Sequence, residues 1–213
     1  MKLQKPNLLR RERHRGGRKA GFTLLELMVV IAIVGVLMAL AAPSMREMIE
    51  MRRLRAINAQ LVTDLQYTRS EAIARRAYGR IDFNLEPALT MTCYTIYTAV
   101  DSSLGCDCSR GPGAACAANP GAVEIRTVQL SKSSKVLLSI PPQLNLTWAM
   151  GFEPAMGSLV NLIVDTDPQV LNRFKVDTLI DAERSMRVDL SQSGRPTVCA
   201  PAGSRMDVPP CIP

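Results

Sequence analysis

The sequence predicts an α+β chain: one long N-terminal helix packed on an antiparallel β-sheet domain. Three observations predict it. Residues 22–42 form a run apolar but for Thr23, Glu26 and a permissive Gly35; an apolar stripe at helical spacing follows; and from residue 81 short β-branched segments alternate with turn signals.

Residues 1–21 come first. They hold eight basic residues (Lys2, Lys5, Arg10, Arg11, Arg13, Arg15, Arg18, Lys19) against one acid, Glu12. Eighteen basic and eighteen acidic residues remain, so the net charge of +7 belongs to this flank and the rest of the chain is neutral. A basic flank before an apolar segment reads as cytoplasmic, which puts everything after Pro43 across the inner membrane, in the periplasm.

The run itself lies in "RKAGFTLLELMVVIAIVGVLMALAAPS", residues 18–44. As a helix rising about 1.5 Å per residue, it spans about 30 Å, the hydrocarbon thickness of a bilayer. A carboxylate at such depth costs on the order of 2.5 kcal/mol or more, so Glu26 reads as a functional residue with a partner. Two processing readings compete. An ordinary secretory signal would exit at Ala39-Leu40-Ala41, but the run is about twice the length of a signal's apolar region and carries Glu26. Cleavage between Gly21 and Phe22 instead keeps the helix.

"GFTLLELMVVIAIVGVLMALAAPS" closely resembles the start of type IV prepilins and type II secretion pseudopilins. The resemblance implies that a prepilin peptidase cuts after Gly21 and that the amine of the new terminus, Phe22, is methylated. It also implies that Glu26 pairs with the Phe22 amine of a neighbouring pilin subunit, and that Pro43 is the proline that kinks the first helix. The domains expected are a cleaved leader (1–21), a transmembrane and filament-core helix (22–43), the amphipathic half of that helix (44–79) and a periplasmic β-rich domain (80–213).

After Pro43, Leu54, Ile57, Leu61, Leu65, Thr68 and Ala72 form one stripe. Glu50 with Arg53 and Glu71 with Arg75 read as helical ion pairs, and Gly79 as a C-cap, so the helix is expected from about Phe22 to Tyr78. Six segments then read as strands: "MTCYTIYTAV", "AVEIRTVQL", "KVLLSI", "LNLTWAM", "LVNLIVD" and "MRVDLS". Turn signals "GPG", "NPG", "PP", "EPAMG" and "SGRP" separate them. Six to eight antiparallel strands are expected, with the helix over one sheet face.

Cys93, Cys106, Cys108, Cys116, Cys199 and Cys211 all follow the membrane run. In an oxidising periplasm they read as disulfides, with fifteen possible pairings; "CDCSRGPGAAC" lacks the paired spacing of common zinc sites. The Gly/Ala/Pro-rich stretch 105–121 is either a disulfide-pinned loop or a linker. Bonding Cys199 to Cys211 would stabilise the C-terminus by roughly 3 kcal/mol.

Three further pieces, "LQYTRSEAIARRAYGRI", "GFEPAMG" and "MRVDLSQSGRPTVC", resemble the GspH/FimT family of minor pilins and pseudopilins, the last favouring its FimT and FimU branch. That resemblance implies a minor pilin that primes or caps a pilus, or alternatively a secretion pseudopilin. Either would be exposed in the filament or at its tip. It also implies a possible DNA partner through Gly194 and Arg195, with Arg187 and Arg205 nearby in sequence. Catalysis is not expected. Beyond residue 21 there is no histidine, no carboxylate cluster at metal spacing, no phosphate-binding glycine loop and no nucleophile motif, so no cofactor or metal is implied.

Overall fold

The computed structural model describes residues 21–85, 91–100, 105–141, 149–162 and 169–212. Helix α1 spans Leu24–Arg75. The chain divides into two compact units, Met1–Ser44 and Met45–Pro213. In the first, the described side chains of residues 21–42 are all exposed. The most apolar 18 residues of the helix have a mean hydropathy of 2.8, long and apolar enough to cross a membrane by length and composition. Helix assignment is uninterrupted at Pro43, although proline withholds the amide that the Ala39 carbonyl would receive.

In the second unit the expected stripe is the helix's buried face: Leu54, Leu61, Leu65, Thr68 and Ala72 are fully buried and Ile57 is half-buried. The helix ends three residues earlier than its pattern suggests. Arg76 takes the left-handed conformation (φ 53°), and the Ala77 amide donates to the Ala72 carbonyl, 3.2 Å. Gly79 is therefore not the cap. It lies in the first strand, where a Cβ would sit 2.6 Å from the Thr68 carbonyl oxygen, so its bareness lets strand and helix touch. The Glu71–Arg75 pair forms at 2.6 Å. Glu50 does not pair with Arg53; it accepts from Lys135 Nζ (2.6 Å) and Arg184 Nη1 (3.0 Å), while Arg53 donates to the Ser134 carbonyl.

Ten strands follow: β1 (Tyr78–Asn84), β2 (Met91–Ala99), β3 (Ala122–Ser131), β4 (Leu137–Ser139), β5 (Ala149–Phe152), β6 (Leu159–Asn161), β7 (Gln169–Val170), β8 (Arg173–Leu179), β9 (Ser185–Ser191) and β10 (Pro196–Cys199). They form two antiparallel sheets rather than one, in the orders β3-β2-β1-β5-β6-β7 and β10-β9-β8-β4. Their faces share a core in which Leu61 and Leu65 of α1 meet Ile81, Phe83, Tyr94 and Phe152 of one sheet and Phe174, Val176 and Val188 of the other. The Phe83 and Phe174 rings stack across it, centroids 6.0 Å apart. Four strands lie outside the expected segments: β1, β7, β8 and β10. Most of "LNLTWAM" falls outside the described residues.

Two buried carboxylates lock elements together. Asp64 on α1 accepts from the Tyr94 hydroxyl (2.7 Å) and Arg126 Nη1 (2.6 Å), tying helix to β2 and β3. Asp82 on β1 accepts from the Tyr97 hydroxyl and the Cys106 amide, both 2.7 Å, and lies 4.0 Å from the buried Arg80. Burial pushes both carboxyls above their ordinary value of 3.8, against the pull of these donors and cations. Each then holds its proton more tightly folded than unfolded, so stability falls as pH rises from 3.8 through the raised value. The denaturation midpoint of the unaltered chain, minus that of Asp64→Asn, is expected to shrink between pH 4 and pH 7; a growing difference would reverse the assignment.

All six cysteines are bonded: Cys93–Cys108, Cys106–Cys116 and Cys199–Cys211. The first two are interleaved and pin residues 105–121 as a loop. Asp107 caps its 3-10 turn, Cys108–Arg110, through the Ser109 amide, and Gln129 donates to the Cys108 carbonyl, 2.8 Å. The stretch is not a linker.

Candidate functional site

The N-terminal motif has a defined local geometry. Thr23 stands just before the helix; its hydroxyl accepts from the Glu26 amide, 3.1 Å, and its carbonyl from the Leu27 amide, 3.1 Å. Thr23 is thus the N-cap and Glu26 the third helical residue. The sequence signal for this was present and unread: T-L-L-E has the spacing of a capping box. A carboxylate in the first turn also faces the positive end of the helix dipole. Gly21 and Phe22 precede the cap, exposed, with Phe22 80% accessible. The leader residues 1–20 lie outside the described residues.

The second candidate, Gly194 and Arg195, lies in the β9–β10 turn. The Gly194 amide donates to the Ser191 carbonyl, 2.8 Å, with Gly194 at φ +72°. Here the three segments singled out in the sequence converge. Arg69, from "RSEAI", sends Nε to the Gly157 carbonyl (2.9 Å) and Nη2 to the Met156 carbonyl (3.2 Å), both in "GFEPAMG". A Cβ on Gly194, from "SGRP", would sit 2.6 Å from that Gly157 oxygen and 2.9 Å from Arg69 Cδ. Glu153 folds the intervening turn by accepting the Met156 amide (2.7 Å), the Ala155 amide (3.1 Å) and the Ser158 hydroxyl (3.0 Å). Burial opposes its ionisation, yet these donors hold its carboxyl below the ordinary value. Arg69 and Glu153 are the residues the sequence reading missed here. Gly194→Ala should cost about 2–3 kcal/mol, from a left-handed backbone and a close carbonyl, read as a lower denaturation midpoint.

Beside this junction opens a groove of about 510 Å³, lined by Gln66, Arg69, Ser70 and Ile73 of α1 and by residues 194–196. The arginines near Arg195 in sequence do not share it. β10 pairs antiparallel with β9 so that Arg187 faces Cys199, four residues or about 13 Å along the strand from Arg195. There Arg187 makes a two-pronged ion pair with Asp177, 2.6 and 2.8 Å, which raises its already high pKa. Arg205 pairs with Glu183 at 3.3 Å. Arg195 is exposed and makes no ion pair among the described residues. The structure thus brings Arg195 to Arg69, not to Arg187 or Arg205.

Cys199–Cys211 closes the C-terminal loop, and the loop is anchored as well as stapled. Met206 is buried with Leu54, Val136 and Met186, and the Ser204 hydroxyl donates to the Ser185 carbonyl, 2.6 Å. Among the described residues no group of three or more His, Cys, Asp or Glu could hold a metal.

Residues 17–42 match the family model of the prokaryotic N-terminal methylation motif. No curated protein and no solved structure matches the chain. A prepilin-type methylation motif on a long apolar helix, followed by an antiparallel β domain, gives this chain the layout of a type IV pilin-like protein.

Proposed function

We propose that this protein is a minor type IV pilin of the GspH/FimT kind: a non-enzymatic subunit, cleaved after Gly21 by prepilin peptidase, that primes or caps a pilus. The observation that carries this reading is the methylation motif at residues 17–42, set on a helix whose apolar side chains are exposed from Leu24 to Ala42. Such a surface needs a bilayer before assembly and the helices of other subunits after it. The chain waits in the inner membrane with its β domain in the periplasm. On assembly, the Glu26 carboxylate meets the amine of a neighbour's Phe22, and the penalty for stranding either charge in an apolar core holds the subunits in register. Pro43 supplies the helix with a point of give. The anchored, disulfide-closed C-terminal loop offers a stiff surface to partners.

A secretion pseudopilin would assemble by the same chemistry, and the experiment separates the two. Surface pili are sheared from a strain lacking the gene and from its complemented parent. Loss of pili, restored by the gene, is expected; normal piliation with lost secretion would assign the chain to a secretion system. A share in DNA uptake is not part of this reading, because Arg187 and Arg205 are engaged by carboxylates and the chain beyond residue 21 carries no net charge.

A further inference from the structure

β10 is one of the two edge strands of the four-stranded sheet, and among the described residues its outer edge is only partly covered. The Ser191 amide donates to the Arg195 carbonyl, so backbone bonds to β9 fall at Arg195, Thr197 and Cys199. The alternate residues, Pro196, Val198 and Ala200, direct their backbone groups away from the sheet. At Ala200 this outer edge is taken by the chain's own C-terminus: the Ala200 amide donates to the Pro209 carbonyl (2.8 Å), and its carbonyl accepts from the Cys211 amide (3.0 Å). Two residues back, at Val198, no described segment pairs with the edge. The edge then runs past Pro196, which has no amide to lose, into the groove beside Arg69 and Arg195. Among the described residues the groove lining holds two guanidinium groups and no carboxylate.

We infer that β10 and this groove take up an extended acidic segment from another subunit of the assembly, which adds a strand at Val198 and places a carboxylate between Arg195 and Arg69. The identity of the partner as a fellow subunit rests on the minor-pilin reading. A peptide fits better than a nucleic acid, because the edge presents one amide and one carbonyl at Val198, the pair that another extended backbone satisfies. The acidic side chain should lie about three residues from the one paired with Val198, since that separation covers the roughly 10 Å back to Arg195.

The test places a photo-crosslinking amino acid at Ser70, on the groove wall, in the full chain expressed in its own cells. The expected result is an adduct with another filament subunit, mapped by mass spectrometry to an acidic extended stretch. It should fall about tenfold or more in Arg195→Glu, which reverses the charge, and in Val198→Pro, which removes the edge amide. Arg195→Glu changes an exposed turn side chain and keeps the test valid should Val198→Pro fail to accumulate. An adduct indifferent to both substitutions, an adduct with nucleic acid, or no adduct in a chain that is cut after Gly21 and recovered with filaments would overturn the inference. Failure of cleavage after Gly21 would instead remove the filament reading. In that case the purified full chain in detergent is offered a fluorescent hexapeptide alternating Glu and Val. Binding at least tenfold tighter than to its Lys/Val counterpart is expected, and equal binding would overturn the inference.

Discussion

Asp82→Ala is expected to lose about 3–5 kcal/mol of stability, the range for removing one partner of a buried ion pair. Its side chain is 12% exposed and that of Arg80 only 2%, with the guanidinium carbon 5.5 Å from the Tyr97 ring centroid. Burial already raises the Asp82 carboxyl, so the pair itself is no net gain over water. The loss arises because the buried Tyr97 hydroxyl and Cys106 amide lose their acceptor and the buried Arg80 loses a neighbouring negative charge. A domain of this size has roughly 5–15 kcal/mol in all, so the variant should accumulate poorly and melt early. Asp82→Asn separates the contributions. Its amide oxygen still accepts both hydrogen bonds, so urea midpoints should rank the unaltered chain first, Asn next and Ala last. Equal midpoints for all three would show that the cluster contributes nothing.

The second large effect is on assembly. Glu26→Ala should still be cut after Gly21 and reach the membrane, yet enter filaments at about a tenth of the normal level or less, because the neighbour's amine would be stranded in an apolar core. The position of Glu26 in a Thr23-capped first turn sharpens the test. If the carboxylate served its own helix alone, exposed as it is, removing it would cost at most about 1 kcal/mol and leave incorporation nearly intact. Glu26→Gln keeps the side chain's length and removes its charge, and should assemble almost as poorly as the alanine variant. Counting subunits in sheared filaments by immunoblot, with processing checked on the same samples, decides between the two roles.

Much of this was readable before any coordinates. The helix advertised itself twice, by continuous apolarity before Pro43 and by a stripe at helical spacing after it; the stripe is the face that packs on the β domain's core. The strands were less legible for particular reasons. β1 alternates, Ile81 and Phe83 standing between Arg80, Asp82 and Asn84, but it is short and its polar face is buried too, which the alternation does not announce. β8 does alternate, with Phe174, Val176 and Thr178 buried between Arg173, Lys175 and Asp177, a signal that was there to be used. β10 is four residues long and opens with proline. The division into two sheets is a property of pairing between distant segments, which local pattern does not record. The site was legible as separate pieces: "RSEAI", "GFEPAMG" and "SGRP" each stood out, but only three-dimensional proximity shows that Arg69 joins them. For Arg187 and Arg205 the sequence displays the cations and hides the carboxylates that occupy them, one of which sits ten residues away on a neighbouring strand.

On the proposed topology, the interleaving of Cys93–Cys108 with Cys106–Cys116 sets a problem of order during export. A chain drawn through the membrane from its N-terminal side presents Cys93 first, then Cys106, Cys108 and Cys116. An oxidant that joined thiols in order of arrival would link Cys93 to Cys106 and Cys108 to Cys116, and both links are wrong. The native pattern is reached only if oxidation waits until β2 and the loop have come together, or if a thiolate later exchanges the early bonds. Cys199 and Cys211 arrive last and consecutively, so that bond can form correctly at once. On that topology, correct oxidation turns on a choice of partner between two cysteines with a single residue between them, Cys106 and Cys108.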